Sequence, residues 1–278
     1  VYTNQTMMGW MMDEYSKIAR SHSPASVTGK PLMLGGSKGR ESATAKGAFH
    51  VIEEFLKAEK IDSKQRVAIQ GFGNAGHYLA KFLHEAGHTI VALSDSKGGI
   101  YSSEGLDPDS VWKIKQKKGK VQGVYCDGSV CDDIDHDKLD PKEVLEVDCD
   151  ILIPAALENQ ITKENADKIK ASSIFEVANG PITSEADEIL EQKGIRVVPD
   201  ILVNAGGVTV SYFEWVQNKQ GYYWSEEKVA ELLKNRMRQA ARKVFNRKLN
   251  YRDAAYVVAL ERINHATTAK GSEEYFNS

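Results

Sequence analysis

Gly71, Gly73 and Gly76 stand in the order G-x-G-x-x-G, within Gln70-Gly71-Phe72-Gly73-Asn74-Ala75-Gly76. The spacing suits a turn that cradles phosphate. Gly71 allows a sharp turn, Gly73 lets the backbone approach a pyrophosphate, and Gly76 lets helix and strand pack closely. Taken alone, the pattern is equally met by a tight loop before an ordinary helix. Its surroundings favour the first reading: a β-branched, apolar run over Arg66–Gln70 precedes it, and a helical pattern over Gly76–Ala86 follows. That is the strand–turn–helix context a dinucleotide turn requires. The helix start then offers free N–H groups and positive dipole charge to the phosphates. Asp95 lies 19 residues beyond Gly76, where an acid meets the ribose hydroxyls of adenosine. An acid there favours NAD over NADP by repelling a 2′-phosphate, while Lys97 could reach that phosphate and blurs the preference.

The elements around this turn alternate. Arg66–Gln70, Thr89–Leu93, Cys149–Ile153, Ser173–Val177 and Arg196–Val198 read as strands. Gly76–Ala86, Pro108–Lys118, Pro141–Val147, Thr162–Lys170 and Thr183–Lys193 read as helices, with turns over 96–106 and a short hairpin or loop over 119–137. Such alternation predicts an α/β fold with a doubly wound, Rossmann-type, mainly parallel sheet. Thr3–Arg20 and Glu41–Glu59 are amphipathic helices ahead of it, separated by a loop over 22–39. After Asp200 three helices follow in a row, Asn204–Asn218, Ser225–Lys248 and Tyr251–Ala269. The expected division is a dinucleotide-binding domain over 1–200, including an N-terminal hinge helix. C-terminal helices over 201–278 pack against it and the cleft.

The totals narrow the function classes. With 278 residues, 41% hydrophobic and 27% charged, the chain can bury a proper core. A net charge of −3 gives no general attraction to nucleic acid or anionic membrane, and no apolar run is long enough to cross a bilayer. Cys126, Cys131 and Cys149 match no zinc or disulfide framework and read as thiols of a cytoplasmic protein. His22, His50, His77, His84, His88, His136 and His265 form no metal-binding spacing, so no metal is expected.

Several motifs, taken in order, resemble the glutamate dehydrogenases of the hexameric bacterial and archaeal type. They are Val1-Tyr-Thr-Asn-Gln-Thr-Met-Met-Gly-Trp-Met-Met-Asp13-Glu-Tyr, Gly35-Gly-Ser-Lys-Gly-Arg40-Glu-Ser-Ala-Thr44, the glycine turn, Ser94-Asp-Ser, Pro154-Ala-Ala, Ala178-Asn179-Gly-Pro and Asn204-Ala-Gly-Gly-Val-Thr-Val-Ser211. The resemblance runs from Val1 to about Lys270. It implies that Thr44 meets the nicotinamide carboxamide and that Gly71, Phe72, Gly73, Asn74, Ala75 and Gly76 form the pyrophosphate turn. It also implies that Asp95 and Ser96 contact the adenosine ribose and that Ala155, Ala156 and Gln160 line the cofactor path. Asn179 and Asn204 would fix the nicotinamide ribose and amide, and Ser211 would meet the side-chain carboxylate of glutamate. Neutral amides and hydroxyls can orient such groups without a charge to desolvate. Read without the resemblance, Thr44 is equally a helix-start residue, Asn179-Gly-Pro a turn, Asn204 an N-cap, and Arg40 an ordinary loop ion-pair partner.

The implied reaction is the reversible oxidative deamination of L-glutamate to 2-oxoglutarate and ammonia, with NAD, or alternatively NADP, as cofactor. Such chemistry needs a lysine of lowered pKa and an acid that shuttles protons. In the family these catalytic groups belong to an N-terminal substrate domain, ahead of the position that Val1 occupies. The chain is therefore expected to be a C-terminal fragment of a homohexameric enzyme, with no catalytic residue of its own. A leucine, phenylalanine or valine dehydrogenase is the alternative within the family, and Ser211 speaks against it. A non-catalytic dinucleotide-binding module is the alternative outside it. The 278-residue polypeptide is expected to bind NAD(P)H without turning over glutamate. Robust NADH formation from glutamate and NAD+ by this chain alone would overturn that expectation.

Overall fold

The structure is a computed structural model that describes residues 3–122, 125–127, 130–132 and 137–271. Helices α1 (Gln5–Ala19) and α2 (Ala43–Ala58) come first. Then follow β1 (Arg66–Gln70), α3 (Asn74–Glu85), β2 (Thr89–Asp95), β3 (Gly98–Tyr101) and α4 (Pro108–Lys118). A small hairpin joins β4 (Tyr125–Asp127) to β5 (Val130–Asp132), before β6 (Asp137–Leu139), β7 (Ile151–Pro154) and β8 (Ser173–Phe175). The chain ends through α5 (Ser184–Gln192), β9 (Arg196–Val198), α6 (Asp200–Val203), α7 (Gly206–Gln220), α8 (Glu226–Phe245) and α9 (Tyr251–Ala269).

The main sheet has the order β6-β3-β2-β1-β7-β8-β9. From β2 to β9 every pair is parallel, while β3 runs antiparallel to β2 and to β6. Because side chains alternate along a strand, Val67, Ile69, Ile151 and Ile153 enter one core while Ala68 and Leu152 enter another. A register shift between Val67 and Ala68 skips Val91 in the pairing, so Val91 and Ala92 both face the second core. The first core is thick, built by α2, α3, α7 and α8. The second is covered by α5 and short 3₁₀ turns. The boundary expected at 200/201 falls at the start of α6, and one apolar cluster runs from Ala43 to Val258. Fully buried Phe55 of α2 meets the rings of Phe175, Phe245 and Tyr251 edge-on at 5.0–5.9 Å. It ties the C-terminal helices to the sheet, and its burial contributes roughly 1.5–3 kcal/mol.

The structure changes some expected elements. The turn-rich stretch 96–106 contains β3, whose Gly98-Gly99 lowers strand propensity and hides it. The helix expected over Pro141–Val147 is a 3₁₀ turn over Glu143–Leu145, which buries the adjacent Val144 and Leu145 together. The one expected over Thr162–Lys170 shrinks to Ala166–Lys168. There Asn165 Oδ1 accepts from Thr162 N and its Nδ2 donates to Gln160 O, a local alternative to helical bonding. Cys149 is buried, and burial pushes its thiol up to about 12, which makes it an inert core residue. The side chains of Cys126, Cys131 and His136 lie outside the described residues.

Helices α2 and α7 cross where neither has a side chain. A Cβ at Gly47 would lie 2.7 Å from Gly206 Cα, and one at Gly206 would collide with Ala43 O. Gly206→Ala should therefore destabilise the chain by about 1–3 kcal/mol through overpacking. Thermal unfolding measures this, and an unchanged midpoint would show that the crossing is not tight.

Candidate functional site

The chain leaves β1 toward β2 on one side, while β7 joins β1 on the other. A crevice opens at the carboxyl ends of strands where such order reverses. Gly71 fills its apex, with φ of 100°, and a Cβ there would lie 2.7 Å from Ala155 C and Ala156 N. The backbone of Gly71 thus packs directly on the strand-end loop of β7, and Gly76 packs on the carbonyl of Gly71. Gly73 is the opposite case, since a Cβ there would meet nothing within 4 Å. It is exposed and serves as N-cap of α3, which begins at Asn74, inside the motif. No side chain caps that helix, so the first-turn N–H groups of Asn74, Ala75 and Gly76 are available to an anion.

Phe72 lies in the turn with its ring turned inward. Its ring is fully buried, edge-on to His77 and Trp112. Its N–H donates to Ser94 O at 2.7 Å and its carbonyl accepts from Lys115 Nζ at 2.7 Å. It therefore shapes the turn from beneath. Asp95 also faces inward. Its carboxylate accepts from Lys97 N and Val121 N at 2.9 Å each and pairs with Lys115 at 3.3 Å. Ser96, next to it, is exposed. Two fully buried polar atoms at the ends of β1 and β2, Gln70 Oε1 and Ser94 Oγ, have no partner, while Gln70 Nε2 donates to Gln160 Oε1 at 3.1 Å. An open seat above Gly73 and an uncapped, exposed helix start fit a dinucleotide.

The rim continues through hydrogen bonds between strand-end loops. Pro154 O accepts from Val177 N and Ala178 N, and Asn159 N and Gln160 N donate to Gly180 O and Pro181 O. Asn179 is thereby held beside the 155–160 loop. Asn204, expected on a helix and as its N-cap, does neither. It sits between α6 and α7, where Ala205 is the N-cap. Its Nδ2 donates to Asn179 Oδ1 at 2.6 Å and Val177 O at 3.2 Å, so the two amides form one unit.

Beyond the crossing of α2 and α7, Thr44 and Ser211 come onto one wall. A Cβ at Gly207 would lie 2.7 Å from Thr44 Oγ1 and 3.5 Å from an Arg40 nitrogen. Arg40 Nε donates to Ser211 Oγ at 3.1 Å. Burial pulls the Arg40 guanidinium below its usual range, opposed by the charge of Glu214. The loop that brings Arg40 here has little regular structure and is strapped to α7. Glu214 accepts from Gly29 N at 2.9 Å and Lys30 Nζ at 2.6 Å, Gln217 Nε2 donates to Ser37 Oγ, and Asn218 Nδ2 donates to Gly35 O. A cavity of about 1150 Å³ opens beside this wall and takes in Arg40, Ser42, Lys46 and Asn74, but not Thr44, Asn179, Asn204 or Ser211. Sequence reasoning missed Arg40 as a wall residue and Glu214 as its support. Two signals were present: Arg40 lies one helical turn before Thr44, and Glu214 is a lone acid beside apolar Val210 and Phe213. Among the described residues no group of three or more His, Cys, Asp or Glu could hold a metal ion, and no helix is long and apolar enough to cross a membrane.

Residues 35–271 match the family model described as Glutamate/Leucine/Phenylalanine/Valine dehydrogenase. The NADP-specific glutamate dehydrogenase of Synechocystis is 52% identical over 281 residues, 99% of this chain and 66% of that protein. The cryptic catabolic NAD-specific glutamate dehydrogenase of Bacillus subtilis is 50% identical over 98% of this chain and 62% of its own length. The chain thus spans just under two thirds of these relatives. The hetero-hexameric glutamate dehydrogenase of Thermus thermophilus, in its Leu-bound form, superposes with a TM-score of 0.86 at 35% identity, covering 97% of this chain and 63% of that one.

The seat above Gly73 gives a clean test. Gly73→Leu meets no protein atom near its Cβ, so the unfolding midpoint should stay within about 2 °C of the parent, while NADH affinity falls about tenfold or more. Calorimetric titration reads the second quantity, and unchanged affinity would place the cofactor elsewhere.

Proposed function

The chain belongs to the glutamate/leucine/phenylalanine/valine dehydrogenase family, and from that premise we propose that it is the NAD(P)-binding portion of a glutamate dehydrogenase. The observation that carries the substrate is the Arg40–Ser211 pair, at 3.1 Å, beside Thr44. A guanidinium and a hydroxyl on one wall suit a carboxylate. The side chain of leucine, phenylalanine or valine would desolvate Arg40 and return nothing. The second reading within the family is therefore disfavoured by the same two residues.

The bound nicotinamide supplies the hydride donor and acceptor. The chain's own residues bind and orient it. The first turn of α3 and the Gly73 backbone hold the pyrophosphate, and Ser96 and the Asp95 turn border the adenosine ribose. Ala155, Ala156 and Gln160 wall the path between. The Asn179–Asn204 unit and Thr44 orient the nicotinamide ribose and carboxamide, and Ser211 with Arg40 receives the side-chain carboxylate of glutamate. Proton transfer at the substrate falls to the lysine and aspartate of the substrate domain that the resemblance implies. NAD is the proposed cofactor. NADP remains open to this site because Lys115 offsets the Asp95 charge, and relatives of both specificities resemble the chain. A hexameric, cytoplasmic parent enzyme completes the proposal.

Arg40→Met and Ser211→Ala, made in the chain joined to that substrate domain, test the wall. Arg40→Met should raise KM for glutamate by about 10–100-fold, the worth of one charge-assisted contact, and Ser211→Ala by less. Steady-state kinetics with glutamate and leucine decide it. Loss of activity toward both substrates in equal measure would refute a carboxylate-reading role.

A further inference from the structure

We propose that Arg252, on the C-terminal helix α9, is a positioning residue for the nicotinamide end of the cofactor site, acting through Glu176 on the loops that present Asn179 and Asn204. The proposal rests on the reading of those two amides given above.

Glu176 directly follows β8 and is fully buried. Arg252 grips it with a fork, NH1 to Oε2 at 3.0 Å and NH2 to Oε1 at 2.9 Å. The same guanidinium holds Asp187 of α5 through Nε at 2.6 Å and NH2 at 3.1 Å. A planar fork of this kind fixes the plane of the carboxylate as well as its place. With that plane set, Glu176 Oε2 accepts from Asp200 N at 2.9 Å, the first residue of α6. Asp200 Oδ2 accepts in turn from Gly180 N at 2.8 Å, beside Asn179. Four residues later α6 delivers Asn204, which closes on Val177 O and Asn179 Oδ1. The segment 176–180 and α6 are thus zipped at both ends, and Arg252 sets the inner end.

Without Arg252 the zip loses its anchor. Burial already pushes the Glu176 carboxyl above its ordinary range, and Arg252 is the main opposing influence. A buried carboxylate stripped of its countercharge takes up a proton or admits water, and either change moves the acceptor of Asp200 N. The effect should reach Asn179 and Asn204 while leaving the Gly73 seat, which is built from other elements, in place.

ADP and NADH separate the two ends, because ADP keeps the adenosine and both phosphates but lacks the nicotinamide and its ribose. Titration of the 278-residue chain with both should show NADH weakened about tenfold in Arg252→Met and in Glu176→Gln, with ADP within about twofold. Arg252→Lys, which keeps the charge but not the planar fork, should recover only part of the NADH affinity. Glu176→Gln is isosteric and carries the test if Arg252→Met does not fold. A clamp that only braces α9 would lower the unfolding midpoint and weaken both ligands alike or neither, and that result overturns the proposal. Asn204→Ala separates the two failures. If it weakens NADH and Arg252→Met does not, the positioning role alone is wrong. If it leaves NADH binding unchanged, the reading of Asn179 and Asn204 is wrong and the proposal falls with it.

Discussion

The contact on which the site depends is the bare crossing of α2 and α7 at Gly47 and Gly206. Ordinary helix pairs keep their axes 8–10 Å apart because side chains intervene. Here backbone meets backbone, and Gly207 rests on Thr44 and Arg40 one step along. A mid-helix glycine costs roughly 0.5–1 kcal/mol relative to alanine, so Gly47 weakens α2 locally. What it gains is placement: Arg40 comes within 3.1 Å of Ser211 although 171 residues separate them in sequence. A wider crossing would leave a cation on the loop before α2 and a hydroxyl on α7, with no common face.

The same helix α7 does a second task with buried polar groups. Lys30 and Glu214 are paired at 2.6 Å with fully buried side chains. Such a pair is weak evidence of stability, because desolvation offsets its attraction. Its groups are nevertheless well satisfied: Glu214 also accepts from the Gly29 amide, and Lys30 Nζ also donates to Val27 O. The segment before α2 is rich in glycine and proline and has no ladder of its own. Glu214, Gln217 and Asn218 supply the bonds that regular structure would otherwise give. The pair fixes where the loop goes, and hence where Arg40 points.

Much of the fold was legible because its periodicities are strong. The bounds of β1, α4, β9 and α9 match their sequence patterns to the residue. What was hidden had a local cause. Gly98 and Gly99 mask β3, and a side-chain turn at Asn165 replaces a helix. In the site, the glycine turn was readable from its context alone. The Asn179–Asn204 unit was not, since each residue is also a plausible turn or cap, and only the family resemblance joined them. The inward turn of Asp95 was equally hidden, because its partners Val121 and Lys115 come from a loop and a helix beyond β3.

Helix ends offer a more general sign of where the ligand belongs. Helices α1, α4, α5, α8 and α9 each have a cap side chain that accepts from the first turn, namely Asn4, Asp107, Thr183, Ser225 and Asn250. All but α1 also place an acid there. Helices α2, α3 and α7 have neither a bonded cap nor an acid in the first turn. These are the three that start beside the Gly73 seat and the Arg40–Ser211 wall. A missing cap costs about 1 kcal/mol, and an acid would have recovered part of it through the helix dipole. At α3, either device would also occupy or repel the place proposed above for the pyrophosphate. At α3 the uncapped start is exposed and open to an anion, whereas the start of α7 packs through Gly206 on the Ala43 carbonyl. Under the proposed function, ligand binding and the stability of α3 are linked.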